Sequence, residues 1–123
     1  MGAGPAARVS PRAAPAPLLA VVIGGPPRHA VVRRYTSPPH VLDAARPKLA
    51  DLERTMRGTP GFVAYYFVET DEGIATVTVT DDEAGTAESM GRAAEWVRQN
   101  LASPAELGSP EVTRGTVLIG ATR

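Results

Sequence analysis

The chain has 123 residues, with 13 Lys and Arg against 13 Asp and Glu, so its formal charge is zero. That length suits one domain, and the balanced charge offers neither the basic excess of a nucleic-acid binder nor an acidic solvating tail. Cysteine is absent, which excludes disulfides, thiol nucleophiles, thiolate metal sites and iron–sulfur clusters.

The first 28 residues hold six of the twelve prolines among Ala and Gly. Proline removes backbone donors and fixes φ, so residues 1–28 read as a disordered extension, or as an over-long reading frame, ahead of a domain at 29–123. The apolar run from Leu18 to Ile23 is far short of the roughly 20 residues of a membrane span. Arg8 and Arg12 before it give a faint likeness to a signal peptide, but prolines crowd it and no Ala-x-Ala lies between the run and His29. A cytoplasmic protein with no membrane contact is the expectation.

Residues 30–35 (AVVRRY) form a first strand, which Ser37-Pro38-Pro39 ends. From His40 to Arg57, Leu42, Ala45, Leu49, Leu52 and Met56 recur at steps of three and four, the stripe of an amphipathic helix. Pro47 inside it is expected to kink the helix or split off its first turn. After Gly58-Thr59-Pro60-Gly61, residues 62–69 (FVAYYFVE) form a strand by aromatic and β-branched content. Thr70-Asp71-Glu72-Gly73 is a hairpin connection to strand 74–80 (IATVTVT), in which Ala75, Val77 and Val79 alternate with threonines suited to water or a polar cavity. Asp81 or Asp82 caps a second helix running to about Leu101, with Ala87, Met90, Ala94, Val97 and Leu101 as its expected buried stripe. Residues 111–120 (EVTRGTVLIG) complete a βαββαβ order. This is the α+β, ferredoxin-like arrangement: an antiparallel sheet with strands one and three central and two and four at its edges.

Strand 62–68 carries apolar residues on both faces: Phe62, Ala64, Tyr66 and Val68 on one, Val63, Tyr65 and Phe67 on the other. An edge strand of that kind invites association unless something covers it. A second copy, sheet against sheet, is the economical cover, so a homodimer is expected. The alternative is cover by a loop or by the N-terminal tail.

The AVVRRY strand, the turn and strand Pro60-Gly61-Phe62-Val63-Ala64-Tyr65-Tyr66, the TVTVTDDEAGTAES passage and Ala94-Glu95-Trp96-Val97 resemble small actinobacterial proteins of the antibiotic biosynthesis monooxygenase-like superfamily, over about residues 30–119. The resemblance implies a dimeric α+β barrel, two sheets facing each other with helices outside. The superfamily includes cofactor-free oxygenases of polycyclic phenols, quinone-related enzymes, heme-degrading enzymes and members of no known activity. The heme-degrading branch uses an Asn, a Trp and a His on the first strand, third strand and second helix. Strand 30–35 has no Asn, strand 74–80 no Trp and helix 82–101 no His, so that activity is not carried over. The residues of the phenol oxygenases do not align with this chain one by one.

The substrate-binding candidates are Arg33, Arg34, Tyr65, Tyr66 and Trp96; no catalytic residue is assigned. Arg33 and Arg34 point to opposite faces of their strand, so one of them enters the interior. There it either anchors an anion or, the favoured reading, pairs with Glu69, Glu111 or a helix carboxylate. Tyr65 and Tyr66 straddle the sheet likewise, one hydroxyl facing a cleft or both rings serving core and interface. Trp96 falls about 140° from the centre of the expected helix stripe, on the solvent side or under another element. His40 is a general base or, preferably, a solvated histidine. His29 carries no signal. Asp81, Asp82 and Glu83 read as helix-start carboxylates, so no metal and no cofactor is expected.

Two functions from different classes follow. One is a small-molecule enzyme, a cofactor-independent monooxygenase of an aromatic or quinone-like substrate. The other is a non-catalytic dimeric ligand-binding or scaffold domain.

Overall fold

The computed structural model describes residues 27–102 and 104–123. In chain order they form β1 (His29–Thr36), α1 (Pro39–Ala45), a 3-10 turn (Arg46–Lys48), α2 (Leu49–Arg57), β2 (Phe62–Thr70), β3 (Gly73–Thr80), α3 (Glu83–Asn100), a second 3-10 turn (Pro104–Leu107) and β4 (Glu111–Thr116). The four strands make one antiparallel sheet in the order β2-β3-β1-β4. The βαββαβ architecture and the central placing of strands one and three are thus as the sequence implies. The expected extension at residues 1–28 lies, but for its last two residues, outside the described residues.

Pro47 acts where its missing N–H demands. It cannot complete an α-helical bond, so the first helix closes into a 3-10 turn at residues 46–48 and restarts as α2. Asp82 caps α3, its Oδ1 accepting from the Gly85 amide at 2.9 Å. The last strand is shorter than expected: the ladder ends at the His29–Thr116 pair, one more backbone bond runs from the Val117 amide to the Arg28 carbonyl at 2.8 Å, and Leu118 and Ile119 stand almost wholly exposed beyond it.

Helices α2 and α3 pack against each other and over one sheet face. Two apolar clusters fill the space. Val41, Leu42, Ile74 and Leu107 form one; Leu52, Met56, Ala93 and Trp96 form the other. Phe67 and Val97 touch both and join them.

The α3 stripe differs from the expected one by a rotation of one residue, about 100°. The face turned to the sheet is Gly85, Thr86, Ser89, Ala93 and Trp96, while Ala87 and Ala94 are exposed. Alanine suits any helix face, so it marked the wrong one. Thr86 and Ser89 can be buried because each hydroxyl donates to a carbonyl of its own helix, at 2.9 and 2.6 Å.

β3 is inverted relative to a simple core. Thr76, Thr78 and Thr80 are buried beneath the helices, whereas Ala75, Val77 and Val79 lie half-buried on the opposite face. The register sets Ala64, Tyr66 and Val68 beside Val79, Val77 and Ala75, and Val32 beside Val77. The helix-free face is therefore the more apolar of the two along β3, and Tyr66 is 56% exposed on it.

A close approach fixes where α3 begins. A side chain at Gly85 would place its Cβ 2.7 Å from Thr80 Cβ and 2.9 Å from the Pro60 carbonyl oxygen, whereas at Gly91 nothing lies within 4 Å. Gly85→Ala is expected to destabilise the fold by about 1–3 kcal/mol through forced displacement. Gly91→Ala is expected to stabilise it by about 0.5–1 kcal/mol through reduced backbone entropy of the unfolded chain. Urea denaturation of the two variants checks the contrast.

Candidate functional site

Period-two alternation carries Val31, Arg33 and Tyr35 of β1 to the helix side of the sheet and Arg34 to the other. Arg34 is solvated and pairs with Glu111 at 3.9 Å, a contact too exposed to contribute much. Arg33 is 2% exposed. Its Nε donates to Thr76 Oγ1 at 3.3 Å and its Nη2 to Thr78 Oγ1 at 3.4 Å. Among the described residues no carboxylate forms an ion pair with it. The favoured expectation for the interior arginine, pairing with an acid, fails for Arg33; the acid contact falls to the solvated Arg34 instead.

A guanidinium taken out of water needs compensation for its lost hydration. Threonine hydroxyls supply dipoles but no countercharge. The positive charge of Arg33 is therefore left for whatever enters the space beside it. That space is a cavity of about 40 Å³ between sheet and helices, bordered by Arg33, Tyr35, Tyr65, Thr76, Trp96 and Leu107 among others.

Tyr65 faces this cavity from β2. Burial pushes its phenol up to about 12, an effect the Arg33 charge opposes and Tyr35 reinforces. The hydroxyl is a neutral donor throughout the physiological range and cannot act there as a base. Tyr66 takes the opposite face of the sheet and is remote from the cavity.

Trp96 is 5% exposed and lines the cavity, so of its two expected positions the fold takes the one under other elements. Its indole Nε1–H donates to Asp51 Oδ2 at 2.9 Å, and Asp51 Oδ1 accepts from Arg54 Nη2 at 3.2 Å. The ring's one polar group is thereby satisfied at the α2–α3 junction while its apolar body borders the cavity. Of the five candidates, the fold brings together Arg33, Tyr65 and Trp96. Arg34 and Tyr66 are placed elsewhere.

His40 does not reach the cavity. It lies exposed at the start of α1, its Nε2 2.8 Å from Glu106 Oε1. His29 Nδ1 is 2.9 Å from Thr86 Oγ1. That hydroxyl already donates to the Glu83 carbonyl, so the imidazole Nδ1–H must be the donor between them. Among the described residues bordering the cavity there is no carboxylate, histidine or lysine.

The sequence reading missed Tyr35, Thr76 and Thr78. Tyr35 is two residues from Arg33 and so shares its face, a signal that was present. The threonines could be found only once β3 was known to lie beside β1 in the register Arg33 to Thr76.

The sequence matches no family model and no curated protein. Solved structures resemble it in shape. A Nitrosomonas europaea protein of unknown function is 18% identical, with 81% of this chain and 98% of that chain covered and a TM-score of 0.64. A Streptomyces coelicolor monooxygenase solved with nanaomycin D is 18% identical, covering 79% and 92%, at 0.55. A Chloroflexus aurantiacus protein designated a candidate antibiotic biosynthesis monooxygenase is 15% identical, covering 77% and 97%, at 0.55. The chain thus has the ferredoxin-like fold of antibiotic biosynthesis monooxygenase-type proteins.

The Tyr65 shift has a consequence for stability. Its folded-state value lies above the unfolded 10.0, so the folded protein holds the proton more tightly. Stability from this group is complete below pH 10 and is lost as pH rises to about 12. Tyr65→Phe is expected to flatten that alkaline loss, read from thermal unfolding between pH 9 and pH 12. An unchanged alkaline limb would contradict the buried-phenol assignment.

Proposed function

We propose that the chain is a small-molecule enzyme, a cofactor-independent monooxygenase of aromatic or quinone-like substrates. It works as a cytoplasmic homodimer built from a domain at residues 29–123 behind an extension at 1–28. The observation that carries the reading is the buried, acid-free guanidinium of Arg33 beside the neutral phenol of Tyr65, at a cavity whose other walls, Thr76 apart, are aromatic and aliphatic side chains. A charge in that position favours a ligand with one oxyanion on an apolar ring. The monooxygenases among the structural neighbours lend support to this class of chemistry.

In this reading Arg33 holds the oxygen of a phenolate or enolate, Tyr65 O–H donates to the same oxygen, and Trp96 and Phe67 flank the ring. Stabilising the anion lowers the substrate's own pKa, so ionisation is favoured without a dedicated base. The proton leaves to solvent. The enolate then passes one electron to dioxygen, the substrate radical and superoxide combine to a peroxide anion, a proton from solvent converts it to the hydroperoxide, and loss of water from a carbon that bears hydrogen leaves a new carbonyl. The substrate supplies every electron, and the protein positions it and stabilises its charge.

The homodimer rests on the face that the helices leave open. Ala64, Tyr66, Val68, Val77, Val79 and Val32 form an apolar sheet surface with Tyr66 and Val68 exposed. Such a surface marks an interaction site.

A second reading, a non-catalytic ligand-binding or scaffold domain, draws on one observation. A cavity of about 40 Å³ is well below the roughly 300–1,000 Å³ of sites that hold a drug-sized molecule. On this reading the space stays closed and Arg33 organises the sheet.

Titration of 2-naphthol against the protein separates the two. Bound naphthol is expected to ionise at a lower pH than free naphthol. Arg33→Met should abolish that shift and weaken binding about tenfold or more, as loss of a charged hydrogen bond implies. Oxygen uptake with dihydroxyanthracene-type phenols and quinols then reads the chemistry; flat traces and no ligand-induced thermal shift favour the scaffold. Sedimentation at micromolar concentration is expected to give a dimer that Tyr66→Lys dissociates. A monomeric wild type overturns the assembly.

A further inference from the structure

The cavity, at about 40 Å³, is too small for an aromatic ring, so such a ligand must displace a wall. We infer that Leu107 is that wall: carried on the 3-10 turn Pro104–Leu107, it is the movable partition between the interior cavity at Arg33 and an outer groove, and it sets the size of ligand admitted. The inference rests on the reading that the cavity takes a small molecule, and its test separates the two.

Position comes first. Tyr35, Ile74 and Leu107 border the interior cavity on one side. The same three residues border an open groove of about 610 Å³ on the other, together with Thr36, Ser109 and Glu111. They are a single-layer partition between solvent and Arg33. Tyr35 and Ile74 belong to paired central strands, opposite each other in register, so neither can leave without breaking the sheet. Leu107 has no such tie.

The attachment of Leu107 is weak compared with the other walls. Its turn closes with a backbone bond from the Gly108 amide to the Ala105 carbonyl at 3.1 Å. One further bond, Glu106 Oε1 to His40 Nε2 at 2.8 Å, ties the turn to α1, with side chains 46% and 65% exposed. An exposed pair of that kind restrains little. Gly108 follows at φ 70°, a backbone state that favours glycine and ends the turn abruptly. What keeps Leu107 in place is chiefly its own burial, at 6% exposure, against Val41, Leu42 and Ile74. The same leucine therefore seals the cavity and is the side chain most easily withdrawn from it.

A competing path exists at the sheet edge, where Leu52, Tyr65 and Phe67 separate the cavity from a groove of about 470 Å³ beside α2. Leu52 sits within α2, and Tyr65 and Phe67 within the β2–β3 ladder, so opening there disrupts regular structure. The weaker partition is the one at Leu107.

The chain contains one tryptophan, and Trp96 borders the cavity. Trp96 also borders an outer groove between α2 and α3, so it is the rise in acrylamide quenching of its fluorescence from wild type to variants of the turn that reports opening there, with no ligand needed. Glu106→Ala removes the tie on the solvent side and leaves the core intact; it is expected to raise the quenching constant about twofold, the effect of losing one exposed pair. Leu107→Ala is expected to raise it about tenfold or more, as loss of a buried leucine implies. Stopped-flow association of 2-naphthol should accelerate in the same order. Equal quenching in wild type and both variants overturns the partition, whether or not naphthol binds. Faster association in Leu52→Ala than in Leu107→Ala also overturns it, in favour of the edge path. Raised quenching with no naphthol binding to any variant upholds the partition and removes the small-molecule reading instead.

Discussion

The arrangement of this domain turns on one buried charge. Arg33 occupies the centre of the sheet, on the face where the helices pack, and its guanidinium meets threonine hydroxyls rather than an acid. Several otherwise odd features follow. β3 must present threonines inward to solvate it, which sends Ala75, Val77 and Val79 to the opposite face. α3 must present small residues over the same strip, and Thr86 and Ser89 do so by turning their hydroxyls back on their own helix. A polar seam thus runs along β3 beneath the helices, beside the two apolar clusters.

That seam explains how a small domain can hold both a charge and a cavity. Aliphatic side chains on β3 would pack tightly against α3 and leave the guanidinium without donors' partners. Threonines are isosteric with valine yet accept hydrogen bonds, so the sheet keeps its β-branched packing and gains acceptors. The consequence is inversion: the surface left free of helices is apolar, and the layer under the helices is partly polar. An assembly that covered the free face and a ligand that neutralised the interior charge would be two responses to the same inversion.

Apolar residues at the cavity serve as walls, and their different attachments give the walls different mobility. Trp96 is anchored through Asp51 on α2, and Tyr65 and Phe67 through backbone pairing. Leu107 is held by a four-residue turn. A packed core resists continuous deformation, so entry to an enclosed space is confined to its least bonded element.

Local chemistry in the chain determined the element order, the interruption at Pro47, the cap at Asp82 and the two-faced character of residues 62–68, because each depends on near neighbours: a missing amide, a short acceptor side chain, a period of two. It also determined that one of Arg33 and Arg34 must go inside. Which of them does, and what it meets there, was decided only by the tertiary structure, since the answer lies in the register that sets Arg33 beside Thr76, some forty residues away. The face of α3 was likewise undecidable locally. Alanine is indifferent to burial and a self-bonded serine or threonine hides its polarity, so the pattern of apolar residues pointed one position away from the face that packs and left Trp96 undecided between solvent and cover.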